Sequence, residues 1–248
     1  MQSPSTAGSL RRIGVILVLA APAAVYVAVL AANAVNMPVG DDFLSIVGFL
    51  NRWSRAGRWT LGNMGSFLDQ FYSHRIPFPR LEAAVLVSAF GHCDMRALMA
   101  VNWIGWSLLL ASILWQSRTR WEGAFGLLPV SLVMMQPQGY TNMLVAAGSF
   151  GHVWSILSAF WAFHLSRSEL RSRNAWAMAL AAIAALCTAN GLLVFPVVAL
   201  AQMVRRRRSL ALVWLCAGIL SWALYLRHYS VADQPFARHA FSPVDLAA

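Results

Sequence analysis

The chain has 248 residues, of which 59% are hydrophobic and 11% charged, with a net charge of +10. A water-soluble domain is nearer half apolar and a quarter charged, so the composition excludes an ordinary soluble enzyme and points to a polytopic helical membrane protein. All nineteen basic residues are Arg, and they collect in the short breaks between apolar runs. That is the pattern of membrane loops, and it argues against a nucleic-acid partner. The absence of Lys fits a GC-rich bacterial genome. The three cysteines have no metal-ligand spacing and are too few for a disulfide framework.

Arg11 and Arg12 precede an apolar run from Ile13 to about Ala34, long enough to span. Basic residues before it, with none close after it, put the N-terminus in the cytoplasm. Ala32-Asn33-Ala34 is like a signal-peptidase site, but the run is longer than a signal h-region, so an uncleaved anchor is expected. Residues 37–93 then form an outer loop. Phe43, Ile46, Val47 and Leu50 follow helical spacing, and Met64, Phe67, Leu68 and Phe71 repeat it. Both segments are too short and polar to span and read as amphipathic helices in the interface, separated by a break at Gly57 and Gly62.

The stretch His74 to Arg80, HRIPFPR, forbids a deep helix start, and Leu81 to Phe90 carries Glu82. It reads as a third interfacial helix. Treating residues 78–92 as a span would put Arg118, Arg120, Arg167, Arg171 and Arg173 outside while Arg205 to Arg208 stay inside. The interfacial reading puts all nine inside, which the charge rule favours. Further spans follow over Met95–Trp115, Gly123–Gln136 and Met143–Leu165. An outer loop runs from Pro137 to Asn142. Ala175–Val204 is a hairpin with its tip at Thr188-Ala189-Asn190-Gly191, and Leu210–Leu226 is the last span. The expectation is an all-α, polytopic transmembrane helix bundle forming a single membrane domain over residues 1–248. It has seven spans (residues 13–35, then six in 95–228), two or three interfacial helices and an outer tail at 229–248.

Gly40 to Phe43, GDDF, opens the outer loop with two of the chain's nine acids. One carboxylate suffices to cap a helix, so the second is surplus. A carboxylate at a membrane face serves as a general base or helps hold a divalent cation, though a metal needs more ligands than two neighbours supply. Asp42, directly before Phe43, suits the cap and Asp41 the base. His74 and Arg75 read either as snorkelling interfacial residues or as an anion clamp that Arg80 and Arg96 extend. His152 reads as a packed bundle histidine.

The acidic pair after the first span, the two amphipathic segments and HRIPFPRL together resemble the GT-C glycosyltransferase superfamily. So do the G-x-x-D-x-R stretch, Gly91 to Arg96, and TANGLLVFP, Thr188 to Pro196. The likeness extends to the superfamily's uncharacterised bacterial branch. It implies an inverting transfer of a sugar from a polyprenyl-phosphate donor to an acceptor hydroxyl on the outer face of a bacterial inner membrane. Asp41 or Asp42 would be the base, and Arg75 would bind the donor phosphate. Members of the family carry more spans and a further outer domain, so a truncated or split product is expected. The alternative is a non-catalytic subunit or carrier of lipid-linked sugar with the same fold.

Overall fold

The computed structural model describes residues 6–72, 74–117, 126–136 and 143–229. Arg118 and Arg120, the Pro137–Asn142 loop and the tail beyond Tyr229 lie outside the described residues. The described chain is almost wholly helical. Three helices are long and apolar enough to cross a membrane: Ile13–Asn33, Met95–Gln116 and Arg208–Leu226. In the first and third only 22% of the apolar window is buried inside the protein. The outward apolar face is tolerable in lipid but not in water, so the chain is a membrane protein.

The chain groups into two compact units, one from residues 1–42 and 94–149, the other from residues 43–93 and 150–248. In the first unit, α1 (Thr6–Asn33) packs with α5 (Met95–Ser117) and the seven-residue α6 (Leu128–Met134). Val15 and Leu19 are buried with Leu114, Leu127 and Leu128 packed against them. The Ser131 hydroxyl donates to the Leu19 carbonyl at 2.7 Å. Where helices stop, side chains take over the backbone's hydrogen bonds, as a buried backbone requires. Trp106 donates to the Met134 carbonyl at 2.8 Å, and Trp103 to Met143 at 3.0 Å. The Met95 amide, at the start of α5, donates to the Asn36 side chain at 2.8 Å.

The second unit opens on a π-helical turn, Phe43–Val47, which runs into α2 (Gly48–Arg55). Ser45, Ile46, Phe49 and Trp53 are its buried positions, while Phe43 is exposed. Of the stripe expected from Phe43, Ile46, Val47 and Leu50, Ile46 alone is fully buried, so the stripe is displaced. A π turn holds more residues than an α turn, so every later side chain rotates around the axis. Phe49, Trp53, Trp59 and Phe67 form an aromatic cluster with centroid spacings such as 5.0 Å for Phe49–Phe67 and 5.1 Å for Trp53–Trp59. The break between the interfacial segments is at Gly57 (φ 89°) and Arg58 (φ 55°), whereas Gly62 lies inside the next helix.

That next segment is not one amphipathic helix. A single α turn, α3 (Leu61–Met64), continues as a 3₁₀ turn, Gly65–Leu68. Phe71 then falls in a hairpin of β1 (Gln70–Phe71) and β2 (His74–Arg75), paired Gln70 to Arg75 and Phe71 to His74. The helical stripe ends at Leu68, where Arg80 takes the carbonyls of Ser66, Phe67 and Asp69 and Arg75 takes that of Leu68. α4 (Pro77–Phe90) starts with Pro at its first position, where no backbone donor is missed. Its 14 residues extend about 21 Å, short of the roughly 30 Å hydrocarbon core.

α7 (Ala146–Ser166) begins in the first unit, to which residues 146–149 belong, and from residue 150 it packs in the second with α8 (Arg171–Cys187), α9 (Val194–Val204) and α10 (Arg208–Leu226). α8 and α9 are separated at Thr188 and a 3₁₀ turn, Ala189–Leu193, where the hairpin tip is expected. One face of α8 is Ala177, Ala181, Ala184 and Ala185, all buried. Small side chains let backbones approach closely. A Cβ on Gly191 would lie 2.0 Å from the Ala184 carbonyl oxygen, and one on Gly151 would lie 2.8 Å from that of Cys187. Of the expected third span, Gly123–Gln136, the described residues are 126–136, which hold a short 3₁₀ turn and α6.

The Gly191 contact is with backbone, which has little room to yield. Gly191→Ala is expected to destabilise the protein by about 3 kcal/mol or more, the upper end for overpacking. Gly14→Ala, in open space on α1, should be neutral to slightly stabilising. Thermal unfolding of the two variants in one detergent checks this; equal midpoints would remove the close α8–turn approach.

Candidate functional site

The acidic pair sits in a tight turn. The Asp42 amide donates to the Val39 carbonyl at 3.1 Å, and Gly40 between them has φ 55°, which favours glycine. The turn sends the two acids into different environments. Asp42 is fully buried. Its Oδ2 accepts from the Val39 amide at 3.2 Å and the Ala146 amide at 3.1 Å. Ala146 is the first residue of α7, so Asp42 supplies both a cap and a favourable charge at that helix's N-terminus. The helix capped through this bond lies 104 residues downstream. Asp41 is exposed.

Arg96 lies in the same unit. It is exposed and pairs with Asp94 at 3.6 Å. Asp94 also caps α5, accepting from the Arg96 amide at 2.9 Å.

His74, Arg75 and Arg80 belong to the second unit. Arg80 is 2% exposed. Its Nη1 donates to the carbonyls of Ser66, Phe67 and Asp69 at 3.0, 3.2 and 2.7 Å, which closes the 3₁₀ turn. The guanidinium carbon lies 5.5 Å from the Phe49 ring centroid. Burial lowers its pKa to about 10, against the pull of Asp69. Arg80 is therefore an internal tie in this arrangement. Burial, and next the charge of His152, hold the half-buried His74 below the ordinary imidazole range, so it contributes a neutral ring at neutral pH. His152 itself is exposed on α7, not packed within the bundle as expected.

Arg75 joins the hairpin to the end of α10. Its Nε donates to the Tyr225 carbonyl at 2.9 Å, Nη1 to Leu68 and Nη2 to Arg227 at 2.5 Å. Its amide donates to the Tyr225 hydroxyl at 3.1 Å, and its guanidinium carbon lies 5.8 Å from that ring's centroid. Among the described residues, all three guanidinium hydrogen bonds are to backbone carbonyls, so none of them neutralises the positive charge.

Arg75 lines a cavity of about 530 Å³ in the second unit. Ala182, Ala185, Leu186 and Leu224 give it an apolar wall, and Arg75, Arg227 and His228 bring basic groups to it. Sequence reasoning missed Tyr225, Arg227 and His228. The signal available was the Arg-His pair directly after the last apolar run. It also passed over Glu82 on α4, whose carboxyl burial pushes up to about 8 and whose Oε1 has no hydrogen-bond partner among the described residues. No group of three His, Cys, Asp or Glu side chains converges on a metal-sized site among the described residues.

The Asp42 geometry separates charge from capping. Asp42→Asn keeps an oxygen for both amides and is expected to cost little stability, whereas Asp42→Ala leaves the buried Ala146 donor unmet, at about 1–3 kcal/mol. Denaturation of both variants in detergent is the check. Equal loss from Asn and Ala would mean that the charge, not the acceptor, is what α7 requires.

A scan of protein-family models, a search of curated proteins and a search of solved structures each found no match to this chain.

Proposed function

We propose that the protein is a GT-C-type glycosyltransferase of a bacterial inner membrane that takes its sugar from a polyprenyl phosphate. The observation that carries this reading is the cavity at Arg75, with an apolar wall and three basic groups. A polyprenyl phosphate has the complementary chemistry, a long apolar chain ending in an anion. Guanidinium groups bind phosphate through paired, charge-assisted hydrogen bonds. Arg75 is the lead phosphate ligand, with Arg227 and His228 beside it. Arg80 supports the segment from inside.

Asp41, in the first unit, is the base that the resemblance to the GT-C superfamily implies. It takes the proton from the acceptor hydroxyl, whose oxygen attacks the anomeric carbon. The bond from that carbon to the phosphate oxygen breaks, the polyprenyl phosphate leaves with the electron pair, and the configuration inverts. The seven-span topology belongs to the same proposal, with the N-terminus and Arg171 and Arg206 on the cytoplasmic side and residues 37–93 outside.

One observation favours a second reading, a non-catalytic carrier of lipid-linked sugar. Asp42 is consumed as a buried cap, so the acidic pair offers solvent a single carboxylate.

Turnover separates the two. As the base, Asp41 should lose about 10² to 10⁴ in sugar transfer on Asp41→Asn, with insertion and lipid binding unchanged. Sugar transfer from a polyprenyl-phosphate sugar in membranes with matched expression is the assay. Wild-type transfer by Asp41→Asn would leave the carrier reading in its place.

A further inference from the structure

The end of the second unit that carries the α7–α8 and α9–α10 loops has a concentration of positive charge that the described residues do not neutralise. The two loops are locked side by side. Gln202 donates to the Ser166 carbonyl at 2.7 Å. Arg207 donates to the carbonyls of Arg167 and Ser168 at 3.2 and 3.3 Å and pairs with Glu169 at 2.8 Å. This brings Arg167, Arg171 and Arg173 to the same end as Arg205 to Arg208. All of these except Arg207 are exposed, and Glu169 is the one acid in either loop.

Like charges gathered this way repel, and two helix poles make the arrangement worse. α8 begins at Arg171 and α10 at Arg208, and neither has an acid in its first turn. A helix N-terminus carries partial positive charge and favours an anion. Here both N-termini carry cations instead. The surroundings narrow the choice of anion. Leu170 (57% exposed), Trp176 (68%), Met203 (61%), Val204 (77%) and Leu212 (61%) flank the arginines. Basic groups bordered by outward apolar side chains, with a Trp among them, match the depth of lipid headgroups. A nucleic acid would leave that apolar border in water.

We propose that this end of the second unit is a binding surface for anionic phospholipid headgroups. The lipid phosphates neutralise the exposed arginines and supply the negative charge missing from the starts of α8 and α10, while the acyl chains cover the flanking apolar residues. The surface is separate from the cavity at Arg75 and does not depend on the glycosyl-transfer reading.

The test uses the full chain in nanodiscs of phosphatidylcholine alone and of phosphatidylcholine with phosphatidylglycerol. Tm is expected to be several degrees higher with the anionic lipid. The gain should shrink as salt rises, since exposed charges are screened over about 10 Å at 0.1 M. Inorganic phosphate added to phosphatidylcholine discs should give little of the gain. The variant combining Arg171→Gln, Arg173→Gln, Arg205→Gln and Arg208→Gln leaves the Arg207 tie in place and should have the same Tm in both discs. If that variant does not fold, the wild-type salt series decides alone. A wild-type Tm indifferent to phosphatidylglycerol, a salt-independent gain or a variant that keeps the gain overturns the proposal. So does a gain reproduced by free phosphate or by a duplex oligonucleotide in zwitterionic discs.

Discussion

In a chain this apolar, the decisive constraint is what happens to backbone carbonyls where helices stop. Lipid offers them no donors, and each buried carbonyl left unmet costs free energy comparable to a lost hydrogen bond. The second unit meets this with arginine. Arg80 takes three carbonyls at the end of the 3₁₀ turn, Arg75 takes Leu68, Tyr225 and Arg227, and Arg207 takes two in the α7–α8 loop. A planar guanidinium presents five donors in a fixed fork, so one side chain satisfies several carbonyls at once. Hydrogen bonds to a charged group contribute about 1.5–3 kcal/mol. The arginines thus allow an irregular stretch, from Gly57 to Ile76, to pack against apolar helices.

The same economy shapes the cavity. The small residues of α8 bring helices close, and Gly191 and Gly218 admit contacts that a methyl group would block. At the end of α10 the packing opens, with Tyr225 buried and Leu224 exposed. Arg75 is fixed there from three sides by carbonyls, and its charge remains uncompensated by any carboxylate partner among the described residues. A cation held in place before a ligand arrives requires no reordering when an anion binds, which favours binding.

How much of this was legible in the sequence follows from the range of the forces involved. α1, α5 and α10 are visible because about twenty apolar residues in a row have one solution in lipid. The break at Thr188–Gly191 is visible because polar residues and glycine interrupt such a run. The phase of the first interfacial helix was misread because a π turn leaves no mark in residue spacing. Phe71 reads as helical in the sequence because apolar periodicity over one turn does not distinguish a helix from a hairpin. At the acidic pair, residue types suggest a cap, but its partner, the Ala146 amide, is set by tertiary packing over 104 residues. Likewise nothing local indicates that Arg80 is buried while Arg75, five residues earlier, lines a cavity.

The central claim is that this cavity recognises a lipid by its phosphate, and the most direct measurement compares two lipids that differ only there. Purified protein in detergent is titrated with a polyprenyl monophosphate and with the polyprenol of the same chain length. The account predicts that the phosphate binds at least about tenfold tighter, the equivalent of one charge-assisted hydrogen bond. Equal affinity for the two would contradict it and reduce the cavity to an apolar cleft beside two arginines and a histidine that serve only the fold.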